Sequence, residues 1–175
     1  TWHTETRGLD DLPTLVLFDG WNSLFRSRVV PWRMGLAEKT RTQFETDLLP
    51  RFMQRQRWFG AKADTLKRAA IVDHVPFGDG DKPWLLSVVD AQGEAESARY
   101  FVPLTLAFED HDEELTRRLS AVAVTKVRQQ AEVGLIADAM GDEAFCRALV
   151  AAIGQGKTLR TDSGSLRFSP GRRFA

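Results

Sequence analysis

The chain has 175 residues, 43% of them hydrophobic and 10% aromatic, which is enough apolar material for one domain or two small ones. Lys+Arg and Asp+Glu each total 24, so the formal net charge is zero; the long-range field of a dedicated DNA binder is excluded, and any basic function must be local. The single Cys146 excludes an internal disulfide and no apolar run approaches the roughly 20 residues of a membrane span, so a reducing, cytoplasmic setting is expected.

The opening TWHTETRG is polar without periodicity and reads as a tail or linker. In LPTLVLFDGWNSLF, the run Leu15, Val16, Leu17, Phe18 suits a short buried strand, and Asp19-Gly20 suits a turn. Val30 precedes Pro31 and is therefore expected to be extended. From about Leu36 the pattern turns helical: Phe44, Leu48 and Phe52 recur every four residues, with Leu49 and Met53 beside them. Asp47 and Arg51 are placed as an i, i+4 pair, worth roughly 0.3 kcal/mol when exposed. Pro50 falls inside this pattern, which predicts a break or kink near Leu49. Gly60 ends the register.

Three strands follow, Leu66 to Val75, Trp84 to Val89 and Ala98 to Phe108, and their short connections predict antiparallel neighbours. The acidic run Glu109 to Glu114 marks the next boundary. Ser120 to Gln130 fits neither the helical nor the strand period cleanly, whereas Val133 to Met140 reads as a strand. Asp142 is the N-cap of a helix whose buried stripe is Phe145, Leu149 and Ile153, closed by Gly154 and Gly156. KTLRT and SLRFS, joined through Asp162-Ser163-Gly164, predict a final hairpin. The expected class is α+β: a helix packed on a curved antiparallel sheet, followed by a small second α+β subdomain. The chain begins Thr1-Trp2-His3 without an initiator Met and stops soon after a strand, so an excised piece of a longer protein is expected.

The stretch RFMQRQRWFGAK, residues 51–62, carries the densest candidate chemistry. Gly60-Ala61-Lys62 does not make a phosphate loop: Lys62 follows Ala61 rather than a glycine, Ala63 replaces the hydroxyl residue, and the order is helix then strand. Arg51, Arg55, Arg57 and Lys62 with Trp58 and Phe59 could form a stacking platform for single-stranded nucleic acid. The structural reading outweighs it, because cations at a helix end complement the dipole and the aromatics anchor the helix on its sheet, with an Arg stacked on Trp58. Glu109, Asp110, His111, Asp112, Glu113 and Glu114 lack the spacing of a calcium loop and suit the first turn of a helix over LTRRL. His74, beside Asp73 in a strand, is placed at a sheet surface. Cys146 reads as a packed thiol, and no Gly-x-Ser-x-Gly elbow accompanies the three histidines. Trp2, Trp21, Trp32, Trp58 and Trp84 could stack on sugars, but burial is the default for most of them.

With these elements in place, LLPRFMQRQRWFGAKA resembles the opening of bacterial maltokinases, in which a helix and an Arg-Gln-Arg-Trp-aromatic sequence precede a small curved antiparallel sheet. ARYFVPLTLAFED resembles the Arg-Tyr strand closing that N-terminal cap, and VGLIADAMGDEAFCRALVAAI its small-strand, Asp-Ala, then helix segment. The preceding residues are similar to the junction of trehalose synthase/maltokinase fusion proteins. The resemblance implies a junction segment after an amylase-like domain over 1–35, partly ordered, the cap over 36–110, and the start of an intermediate N-lobe subdomain over 111–175. It implies a parent that makes maltose 1-phosphate from maltose and ATP with Mg²⁺, whose partners are the remaining kinase lobes and the fused amylase-like domain, with no nucleic acid or membrane. Arg55, Gln56, Arg57, Trp58, Phe59, Gly60 and Lys62 form a structural signature. No catalytic, cofactor-binding or metal residue is carried over, and a chain ending at Ala175 is expected to lack kinase activity. The alternative is a free-standing module binding a partner protein or nucleic acid through 51–62.

Overall fold

A computed structural model describes residues 12–61, 64–80 and 84–174. The periodic segment forms one long helical rod in three pieces: α1 (Met34–Gln43), a π-helical turn (Phe44–Leu48) and α2 (Leu49–Arg55). The irregularity predicted at Pro50 is this π turn. Proline lacks an N–H and its ring would strike the carbonyl of Thr46, and widening the preceding turn accommodates both defects without ending the rod. Phe44, Leu48, Leu49, Phe52 and Met53 are all buried, as their spacing requires.

The rod lies on a curled six-stranded sheet of order β1-β5-β6-β4-β3-β2, built from β1 (Thr14–Leu17), β2 (Leu66–Phe77), β3 (Trp84–Gly93), β4 (Ser97–Phe108), β5 (Ala123–Gln129) and β6 (Glu132–Asp138). β2-β3-β4 is the predicted antiparallel meander, and β6 pairs antiparallel with both β4 and β5. β1 adds a parallel pair, with β5, so the sheet is mixed. Leu15 and Leu17 are buried, but Val16 points outward at 66% exposure; β1 alternates as an edge strand rather than being buried throughout.

β5 escaped a clear period for a physical reason. A bulge between Ala123 and Thr125 resets the alternation, so Val124 and Val127, three apart, both enter the core under the rod while Ala123 faces the other side. Each face of the sheet carries a separate apolar cluster. Leu85, Val89, Val102, Leu104 and Ile136 pack under the rod, whereas Leu86, Phe77 and Trp84 meet α4 (Glu143–Gly154) through Phe145 on the opposite face. α3 (Glu113–Leu119) covers Ala107 and Leu135 on that same opposite face. The predicted cap of α4 is present: the Asp142 carboxylate accepts the Ala144 N–H at 3.0 Å, and also the Trp84 indole N–H at 3.1 Å, tying helix to sheet. β7 (Thr158–Arg160) and β8 (Ser165–Arg167) make the closing hairpin. The architecture is α+β, as expected.

Candidate functional site

The end of α2 shows how the sequence RQRWF is used. Arg55 is the last helical residue, and Gln56 turns extended while its backbone N–H donates to the Met53 carbonyl at 3.0 Å. Its side-chain amide donates to the Phe52 carbonyl at 3.1 Å, so two of the carbonyls left over at a helix end are satisfied by one residue. The Phe59 N–H then closes back on the Gln56 carbonyl at 3.3 Å. This tight turn gives the neighbouring aromatics different environments. Phe59 is buried at 2% exposure in the core under the rod, and Trp58 stays 42% exposed.

Both rings meet Tyr100 of β4, Trp58 at 5.7 Å and Phe59 at 5.3 Å between centroids, both tilted. The Tyr100 hydroxyl accepts the Gly60 N–H at 3.3 Å. The chain's only tyrosine therefore fixes the turn from the sheet side, a role the local pattern of RQRWFG did not show. An Arg stacked on Trp58 was expected; among the described residues none lies there, and Tyr100 takes that place because β4 passes directly behind the turn. Stacked guanidiniums occur elsewhere, Arg33 over Trp32 at 4.5 Å and Arg41 over Phe25 at 5.5 Å.

The four cations of the stretch separate. Arg51 pairs with Asp47 at 2.7 Å as predicted. Arg55 and Arg57 are exposed and make no ion pair or hydrogen bond with the described residues, and Lys62 lies outside the described residues. Arg55, Arg57 and Trp58 form one wall of a groove of about 550 Å³. Ser120 and Ala121, just before β5, and Asp138, at the end of β6, form the other. The Arg-Gln-Arg-Trp sequence and Asp138, eighty residues beyond Trp58, thus face one cleft. Asp138 is held by its own turn: Oδ1 accepts the Met140 N–H at 2.9 Å, while burial pushes the carboxyl pKa up from its ordinary value. Only the resemblance, through its Asp-Ala segment, drew attention to Asp138; its place beside the RQRW turn had no local signal.

The other candidates resolve into structure. Asp112 caps α3 by accepting the Leu115 N–H at 2.9 Å, with Glu113 and Glu114 in the first turn, and His111 meets Glu132 at 2.6 Å. Among the described residues no group of three His, Cys, Asp or Glu side chains is gathered for a metal. His74 is not on an open sheet surface: it stacks flat on Phe25, with centroids 3.5 Å apart and planes 4° from parallel, and burial lowers its pKa. The cause is the bulge between Ile71 and Asp73, which redirects the strand just before it. The Cys146 thiol is half-buried and points to the Met140 carbonyl at 3.4 Å. Trp21 is buried and Trp84 hydrogen-bonded, Trp32 is 73% exposed, and Trp2 lies outside the described residues.

An acid that sequence reasoning passed over is the most deeply placed charge near the rod. Glu45 is 2% exposed and sits in the π turn, where Oε2 accepts the Ile71 N–H at 2.5 Å and Oε1 the Arg68 guanidinium at 3.1 Å. Its only sequence signal was an acid lodged between Phe44 and Leu48 in the buried stripe. No membrane-crossing helix occurs among the described residues.

Comparison with known proteins adds one finding. A family model described as the maltokinase N-terminal cap domain matches residues 52–142, just over half of the chain, from the last turns of α2 to the N-cap of α4. No curated protein and no solved structure matches significantly.

Proposed function

The chain belongs to the maltokinase N-terminal cap domain family, and on that premise we propose that it serves as the non-catalytic cap of a carbohydrate kinase that converts maltose and ATP to maltose 1-phosphate. The observation that supports this most directly is the RQRWFG turn. Gln56 closes α2, Phe59 fills the core and Gly60 engages Tyr100, which suits a scaffold rather than a reacting centre. Phosphoryl transfer needs a lysine on the nucleotide phosphates together with carboxylates holding Mg²⁺. The described side chains do not fit that requirement: no three His, Cys, Asp or Glu side chains gather among them, and Asp47, Asp112 and Asp142 serve an ion pair and two helix caps, so ATP and Mg²⁺ would be held by other parts of the parent.

In this reading the reaction belongs to further lobes of a parent protein acting in the cytoplasm on maltose, ATP and Mg²⁺. A trehalose synthase fused ahead of them would interconvert maltose and trehalose. Residues 1–35 would serve as the junction; the cap, expected over 36–110, would continue to the end of the matched region at 142, because β5 and β6 complete its sheet, and the residues after it would lead into the N-lobe. The experiment is a maltose-dependent ATP turnover assay on the 175-residue chain and on the same open reading frame extended in both directions. Turnover confined to the extended protein is the expected result. Turnover by the chain alone would overturn the proposal.

A further inference from the structure

We infer that the groove between the RQRW turn and Asp138 is a docking site for a neutral oligosaccharide. Its two walls offer complementary and unspent hydrogen-bonding groups. Arg55 and Arg57 present free guanidinium forks, and across from them Asp138 has one oxygen, Oδ1, engaged by the Met140 N–H while Oδ2 has no partner among the described residues. The Ser120 hydroxyl donates to the Arg117 carbonyl at 2.7 Å, which leaves its oxygen able to accept. The two walls do not pair with each other. A ligand that fills the groove must therefore present donors and acceptors together, which is what a ring of hydroxyl groups does.

Trp58 supplies the remaining element. Its indole lines the groove, is 42% exposed and meets Tyr100 in a tilted contact at 5.7 Å, so an aromatic surface is available there at little cost in side-chain entropy. The C–H face of a pyranose matches such a surface. The volume, about 550 Å³, lies inside the range of small-molecule sites, roughly 300–1,000 Å³. An inorganic anion would meet the Asp138 carboxylate on the opposite wall. A nucleic acid would meet that carboxylate and would also lack the supporting field of a basic protein. A neutral polyol meets neither obstacle.

The site stands on the groove's own chemistry, so failure of the kinase assay above would leave it untouched. The test is titration of the 175-residue chain with maltose, maltoheptaose, inorganic phosphate and a single-stranded oligothymidylate, followed by proton–nitrogen NMR. A saturable shift of the Trp58 indole and the Arg55 and Arg57 side-chain resonances with a glucan is expected, with at least tenfold weaker affinity in Arg57→Gln and in Asp138→Asn. Arg57 is exposed and unpaired, so its replacement keeps the fold intact, and asparagine preserves the cap on Met140. Resonances that respond only to phosphate or to the oligonucleotide, that ignore all four at millimolar concentration, or that respond to glucan as tightly in either variant as in the parent would overturn the inference.

Discussion

Glu45 and Ile71 share a connection that joins the helical rod to the sheet: the buried carboxylate accepts the Ile71 backbone N–H at 2.5 Å, while Arg41, one turn earlier, donates to the Ile71 carbonyl at 2.6 Å. Ile71 stands where β2 slips register against β3, so the side chains take over both polar groups of a residue beside a bulge. Glu45→Ala strands the Ile71 N–H and removes the partner of two guanidiniums, and should cost about 3 kcal/mol. Arg68→Ala, whose side chain is 51% exposed, should cost less than about 1 kcal/mol. Urea denaturation midpoints measure both, and equal costs would show that the backbone contact is not the dominant one.

A second close approach lies at the join between β4 and β6. Gly134 pairs with Phe108 and Val127, and a Cβ at this position would overlap the carbonyl oxygen of Ala107. The obstacle is backbone within a ladder and cannot rotate away. Gly134→Ala should therefore separate the strands and cost about 3 kcal/mol, at the upper end of overpacking effects. A thermal midpoint within a degree or two of the parent's would count against so tight a fit.

The sequence disclosed elements whose cause is local and withheld those whose cause is distant. Phe44, Leu48 and Phe52 repeat at the helical period, and Asp142 stands at an N-cap position, so the rod and α4 could be read directly. The hairpin carried its own turn residues. The pairing of β1 with β5, by contrast, joins residues more than a hundred positions apart, and no short pattern in TLVL specifies that neighbour. β5 concealed itself because its bulge breaks the alternation on which strand reading depends. Arg55, Trp58 and Phe59 drew attention from residue type alone, but their division into exposed and buried depends on Tyr100, and the groove depends on Asp138 at the end of a different strand.

His74 makes stability sensitive to mild acid. The ring lies flat on Phe25, and burial is the main cause of its lowered pKa; Arg41 and Arg28 add to the lowering, while Asp162 and Asp73 oppose it. The unfolded chain takes up a proton near the ordinary value of 6.5, whereas the folded chain resists until lower pH. Stability should thus be full above that value and decline as pH falls from it toward the folded pKa. His74→Phe keeps an aromatic ring against Phe25 and has nothing to titrate, so it should flatten this part of the pH–stability curve. An NMR titration placing the His74 midpoint at or above 6.5 would contradict the account.

The adjacent aromatics Trp58 and Phe59 should behave as opposites. Phe59 is 2% exposed among the residues of the rod-side core, and Phe59→Ala leaves a cavity that neither Ala61 nor Leu66 can fill, at a cost of about 3 kcal/mol. Trp58 is 42% exposed, and Trp58→Ala should cost less than about 1 kcal/mol, the loss of its tilted contact with Tyr100 being the main contribution. Tyr100→Phe separates the two contributions further: it keeps the ring against both neighbours and removes only the acceptor of the Gly60 N–H, which can turn to water at this exposed turn. Its stability should therefore stay near the parent's, and faster hydrogen exchange at the Gly60 amide should be the sign of the lost bond. Equal destabilisation by Trp58→Ala and Phe59→Ala would mean that both rings are spent on the core, leaving no aromatic free to meet a ligand.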